Sequence, residues 1–142
     1  MFFASSLILG SLGAGLVFGL ARLAAGESPA DLLRLLAAPL LAGWLLQAGA
    51  LFAHLRYLAR RGAEAEVSKV QMLTVYGKTY SARWASLAAL AAGSALLGLW
   101  APDGAWGLIA WGVLSLFAVG HETVGRMLFY VLVTPTTLPG AF

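Results

Sequence analysis

Four long apolar runs follow one another along the chain, separated by polar breaks of unequal size. The first, Phe2 to Ala21, carries no charge, and about 20 residues is the length a helix needs to cross roughly 30 Å of hydrocarbon. It reads as a span rather than a cleaved signal segment, because no basic residue precedes it and the run is long for a signal core. A polar connection with Arg22, Glu27, Ser28, Pro29 and Asp31 follows, in which Ser28 before Pro29 predicts a helix cap with proline in the first turn. The second span is expected from about Leu35 to Leu55, between Arg34 and Arg56, with Pro39 tolerated as a kink.

The break from Arg56 to Arg83 is the extended one. It holds Arg56, Arg60, Arg61, Lys69, Lys78 and Arg83 against Glu64 and Glu66, with Val67, Val70, Met72, Leu73, Tyr76 and Tyr80 among them. That mixture suits an interfacial helix or an extension of the third span, and spacing alone does not choose. The third span is expected over Trp84 to Trp100. Pro102, Asp103 and Gly104 then turn the chain into a fourth helix over about Ala105 to Val133, ended by Thr134 and Pro135, so that spans three and four form a tight hairpin. Trp100, Trp106 and Trp111 cluster about that turn as an aromatic belt would. The predicted fold is an all-α integral membrane four-helix bundle, a single domain with one basic interhelical segment.

Composition sharpens this picture. Of 142 residues, 61% are hydrophobic and 11% charged, against roughly 45–50% and 25% in soluble domains; mean hydropathy is +0.85. Such a chain needs lipid around it and has little material left for a catalytic head. The net charge of +3 is concentrated between spans two and three, which is a topology signal rather than a nucleic-acid surface. Counting lysine and arginine places that segment and both termini in the cytoplasm. With no cysteine, disulfides, thiolate zinc sites and cysteine-ligated iron–sulfur clusters are excluded within this chain. A haem held between His54 and His121 is a weaker reading, since no supporting glycine and histidine pattern surrounds them.

The most informative stretch is Gly120 to Tyr130, where Glu122 and Arg126 put two formal charges inside an apolar span. Four positions apart on a helix they face the same way, with Gly125 and Tyr130 on that side. A charge at a membrane centre costs roughly 2.5–3.5 kcal/mol on insertion scales, so this face must look toward protein, water or a polar ligand. It reads either as a structural ion pair or as the wall of a quinol pocket or partner-docking seam that includes His121. The second span adds Gln47 and His54 on a stripe with Trp44 and Leu51; an imidazole near neutrality suits the proton release that accompanies quinol oxidation. In the first span Ser11, Gly15 and Gly19 form a small-xxx-small ladder that admits a close helix neighbour, with Gly125 a further packing position. No phosphate loop, dinucleotide fingerprint, HExxH or serine nucleophile elbow occurs, so neither catalytic residues nor metal ligands are expected.

The pattern Glu122-x-x-Gly125-Arg126-x-x-Phe129-Tyr130 near the end of the chain resembles the last helix of the dimethyl sulfoxide reductase membrane anchor subunits, which hold molybdoenzymes at the membrane. The preceding hairpin, Tyr80-Ser81-Ala82-Arg83-Trp84 through Leu99-Trp100-Ala101-Pro102, and the opening Phe2-Phe3 glycine-rich helix are similar to the C-terminal half of that family. The resemblance implies a non-catalytic anchor in the cytoplasmic (inner) membrane that binds no cofactor of its own and supports electron transfer from menaquinol. Its implied partners are an iron–sulfur subunit, a molybdopterin catalytic subunit and a separate N-terminal half. It also implies an orientation opposite to the charge count, with the C-terminus outside. The alternative from another class is a small self-associating membrane protein with a transport or scaffolding role, motivated by the glycine ladder and the buried charges.

Overall fold

The computed structural model describes residues 2–58, 70 and 74–133, with side chains at 3–56, 70 and 74–128. These residues form four helices: α1 (Phe2–Ala24), α2 (Ala30–Leu58), α3 (Gly77–Trp100) and α4 (Ala105–Val133). No strand occurs among them. Each helix contains a stretch long and apolar enough to cross a membrane, so the protein is an all-α four-helix membrane bundle. Most of the basic segment, residues 59–69 and 71–73, lies outside the described part, as does the expected stop at Thr134 and Pro135.

The helices stand in a square in which α1 and α3 each pack between α2 and α4, and α2 touches α4 across the diagonal. Cross-helix partners run in opposite senses. Ser5, Leu12 and Gly19 of α1 meet Glu122, Trp111 and Leu108 of α4, while Ala37 and Trp44 of α2 meet Gly98 and Ser94 of α3. Every adjacent pair is therefore antiparallel, as short connections require.

Local chemistry sets the ends. The first helix closes in a Schellman turn, with Gly26 N–H donating to Leu23 O at 3.0 Å and Glu27 N–H to Arg22 O at 2.9 Å. Gly26 takes the left-handed φ of 77° that this turn needs and that only glycine adopts freely. Ser28 Oγ then accepts from Ala30 N–H at 3.3 Å and donates to Asp103 at 3.2 Å, tying the two loops of that end together. α2 starts at Ala30, next to the predicted cap at Ser28 and Pro29, and leads into the expected membrane part from Leu35. The third helix starts at Gly77, not at Trp84, so Lys78, Tyr80 and Arg83 of the basic break belong to the span itself.

Large apolar side chains cover the outside: Leu45, Leu96, Leu116 and Phe117 are more than half exposed and face the lipid side. The core is narrow and built on Ile8, Leu33, Leu40, Trp44 and Trp111, all at 1% exposure or less. Trp100 and Trp106 are exposed at the loop end, as a belt requires. Trp111 corrects the expected belt of three, because it lies in the core. Gly15 has no side chain, and a Cβ there would overlap the Trp111 indole. The bare backbone lets the indole N–H reach the Leu12 carbonyl at 3.1 Å, a second bond for an oxygen already inside a helix. A Cβ at Gly19 would meet Leu108 of α4 at 2.5 Å, so the glycine ladder is used inside this bundle.

Replacing Gly15 with Ala is expected to lower stability in detergent by about 1–3 kcal/mol, because a fully buried indole has nowhere to move. The same change at Gly13, where nothing lies within 4 Å, should leave the melting temperature unchanged or raise it through helix propensity. Thermal melts of the two variants side by side check this.

Candidate functional site

One buried carboxylate organises the polar residues of the bundle. Glu122, 6% exposed, accepts a hydrogen bond from Ser5 Oγ of α1 at 2.7 Å and another from Gln47 Nε2 of α2 at 2.8 Å. The third neighbouring helix contributes Arg83, 8% exposed, close enough to act electrostatically on Glu122 and His121. Its guanidinium lies against the backbone of α4 at Gly125, where a Cβ would come within 2.7 Å of Nη2 and 2.9 Å of Cζ. Gly125 thus acts as the seat of a cation, a more specific role than the helix packing expected of it.

His121 is buried beside the acid. Its Nδ1 is hydrogen-bonded to Ser86 Oγ at 2.7 Å, and its ring meets Trp44 edge-on at a centroid distance of 5.8 Å. Ser86 also donates to the Arg83 carbonyl at 3.0 Å. A hydroxyl has one proton to give, so when it goes to that carbonyl Ser86 accepts from Nδ1–H, and the neutral imidazole presents a bare Nε2. Trp44 in turn donates from Nε1 to Ser94 Oγ at 3.0 Å. Tyr80, one turn before Arg83, stacks edge-on against Trp84 at 6.5 Å.

Four buried side-chain atoms have no hydrogen-bond partner among the described residues: Gln47 Oε1, Tyr80 OH, Arg83 Nε and His121 Nε2. All belong to this one nest. Buried polar atoms are nearly always paired with protein or water, so their concentration here marks a place built for polar guests. The nest also opens sideways. A groove of about 1000 Å³ runs between α3 and α4, walled by Ala89, Gly93, Leu97, Val113 and Phe117, and ends at Arg83, Ser86 and His121. Alanine and glycine on the facing surfaces keep it open, and its lining is almost wholly apolar.

Depth follows from register. Gln47 is 17 positions from Ala30, Arg83 17 from Trp100 and Glu122 17 from Ala105. At about 1.5 Å per residue these three stand about 25 Å from the Trp100 and Trp106 end. In roughly 30 Å of hydrocarbon that is the third of the membrane nearest the opposite face.

Of the residues singled out by sequence, Gln47, His121, Glu122 and Gly125 converge. Of the expected pair of charges, Glu122 is buried and Arg126 is exposed one turn further toward the helix end. His54 is exposed near the end of α2, well beyond the depth of His121, so the two imidazoles do not face each other across a haem-sized space. The side chain of Tyr130 lies outside the described residues. Among the described residues no group of three metal-binding side chains forms. Sequence reading missed Ser5, Tyr80, Arg83 and Ser86. A signal for Arg83 existed: with Leu87, Leu90 and Ser94 it forms the buried stripe of α3, at alternating spacings of four and three.

No family model matches the chain, and no curated protein or solved structure matches it significantly.

Removing one of two opposite charges that share a buried site leaves the other uncompensated, which costs more than removing both. Arg83→Leu should therefore destabilise the protein more than Arg126→Leu, and Arg83→Leu with Glu122→Leu should be less damaged than Arg83→Leu alone. Purified yield and melting temperature of the three variants provide the comparison.

Proposed function

We propose that this chain is a membrane anchor subunit, or the C-terminal half of one, of a molybdopterin and iron–sulfur oxidoreductase in the cytoplasmic membrane, and that it supports electron transfer from menaquinol. The observation that carries this reading is the polar nest at the closed end of a lipid-facing groove. A prenyl quinol needs an apolar channel for its tail and a few polar groups at its head, and the α3–α4 groove leads to Arg83, Ser86 and His121. The likeness of the Glu122 to Tyr130 stretch to the anchor family supports the same reading.

Charge balance favours such a guest. With Arg83 and Glu122 both within it the nest is formally neutral, which suits an uncharged ring bearing two oxygens better than a phosphate head. Oxidation of a quinol breaks two O–H bonds, releasing two protons and two electrons. In this proposal the electrons pass to an iron–sulfur cluster of the partner subunit. The bare Nε2 of His121 takes one proton, and the Glu122 carboxylate or water takes the other. The anchor itself supplies position and proton acceptors, and the redox centres belong to its partners.

Purification from the native membrane in mild detergent is expected to bring down an iron–sulfur protein and a molybdenum protein, with menaquinone in the lipid extract. His121→Leu should leave that assembly intact while lowering quinol-dependent reduction of the complex at least about tenfold, a typical contribution of a proton-transfer group being 10²–10⁴-fold. Recovery of the chain alone at full yield would sink the proposal.

A further inference from the structure

We infer that the polar nest exchanges water and protons with a single aqueous phase, the one at the end of the bundle where α3 begins. The unpartnered atoms step inward from that end. Tyr80 lies three positions inside Gly77, Arg83 six, and Gln47 and His121 stand at the level of Glu122. Each offers a donor or acceptor without a partner among the described residues. An internal water needs two to four polar neighbours and a polar site; this series supplies them from the helix end to the carboxylate.

The other end is sealed. Between the nest and the Trp100 loop lie Trp44, Leu40, Leu33 and Trp111, all at 1% exposure or less. The polar groups in that half have their bonds already: Ser94 Oγ accepts from Trp44 and donates to the Leu90 carbonyl at 2.7 Å, and the Trp111 indole is bonded to Leu12. Inside the bundle this packed layer holds no chain of water, and the α3–α4 groove alongside it is apolar and opens sideways toward lipid.

The groups around Glu122 are Ser5 from α1, Gln47 from α2, Arg83 from α3 and His121 on its own helix; Tyr80 lies near Arg83, and Arg126 one turn further out at the same end. Every proton-carrying neighbour is therefore level with the acid or on its open side. This sidedness deepens the proposed function, and it rests on that reading only in assigning the protons to quinol. Protons released at the nest would all leave toward the face that carries the basic segment, whichever compartment that face meets.

The absence of native cysteine makes the test direct. Single variants His121→Cys and Ser86→Cys, with Lys78→Cys and Asp103→Cys as references for the two faces and Ser94→Cys for the seal, are treated with a charged, membrane-impermeant methanethiosulfonate in spheroplasts and in inverted vesicles. The reagent attacks the thiolate, which forms where water reaches, so cysteines at 121 and 86 should react at least about tenfold faster from the Lys78 face than from the Asp103 face. Cysteine at 94 should react from neither. Labelling at 121 and 86 from the Asp103 face, equally from both faces, or from neither overturns the inference. If His121→Cys fails to accumulate, Ser86→Cys carries the test. The readout uses neither quinol nor partner subunits. Two-sided labelling in an active complex would remove only the sidedness, whereas one-sided labelling of a chain without partners would remove only the anchor function.

Discussion

An acid buried in an apolar bundle must be surrounded by donors, and the arrangement of all four helices follows from meeting that requirement for Glu122. Left alone in a low-dielectric interior, a carboxylate costs several kcal/mol. Here α1 provides Ser5, α2 provides Gln47 and α3 provides the Arg83 charge. Any slip of one helix by a turn would take its donor out of reach. The carboxylate thus acts as a register pin as well as a chemical group, a use of buried polar residues also seen in coiled-coil specificity.

The same bundle uses the lack of a side chain in two opposite ways. At Gly15 the missing Cβ lets an apolar ring press against a backbone and seal the core. At Gly125 it lets a guanidinium lie against α4 beside the acid. In both cases the close approach is what glycine makes possible, and what the facing helix places there decides whether the result is a dry seam or a polar one.

These two seams divide the molecule. The half near Trp100 and Trp106 is packed on large fully buried rings and leucines, while the other half holds the acid, the imidazole, the guanidinium and the end of the groove. A membrane makes such a division meaningful, because its two sides are different compartments and depth decides which one a group can reach. Polar groups about 25 Å from one edge of roughly 30 Å of hydrocarbon lie close to the other edge.

The sequence by itself determined the four spans, the membrane environment and the unusual character of the Gly120 to Tyr130 stretch, because hydrophobic runs and stop signals act locally and lipid demands about 20 apolar residues for each crossing. It also singled out Gln47, His121 and Glu122 as polar groups on apolar helices. That a second charge is buried near Glu122 was decided by the tertiary structure. An i,i+4 spacing nominates Arg126 alone, whereas rotation about the bundle axis also brings Arg83 to the buried side, with Arg126 exposed. The partners of the glycine ladder, the core position of Trp111 and the exposure of His54 were decided in the same way. Each depends on how far one helix slides past another, a quantity set by packing among residues remote in the chain, which no local pattern encodes.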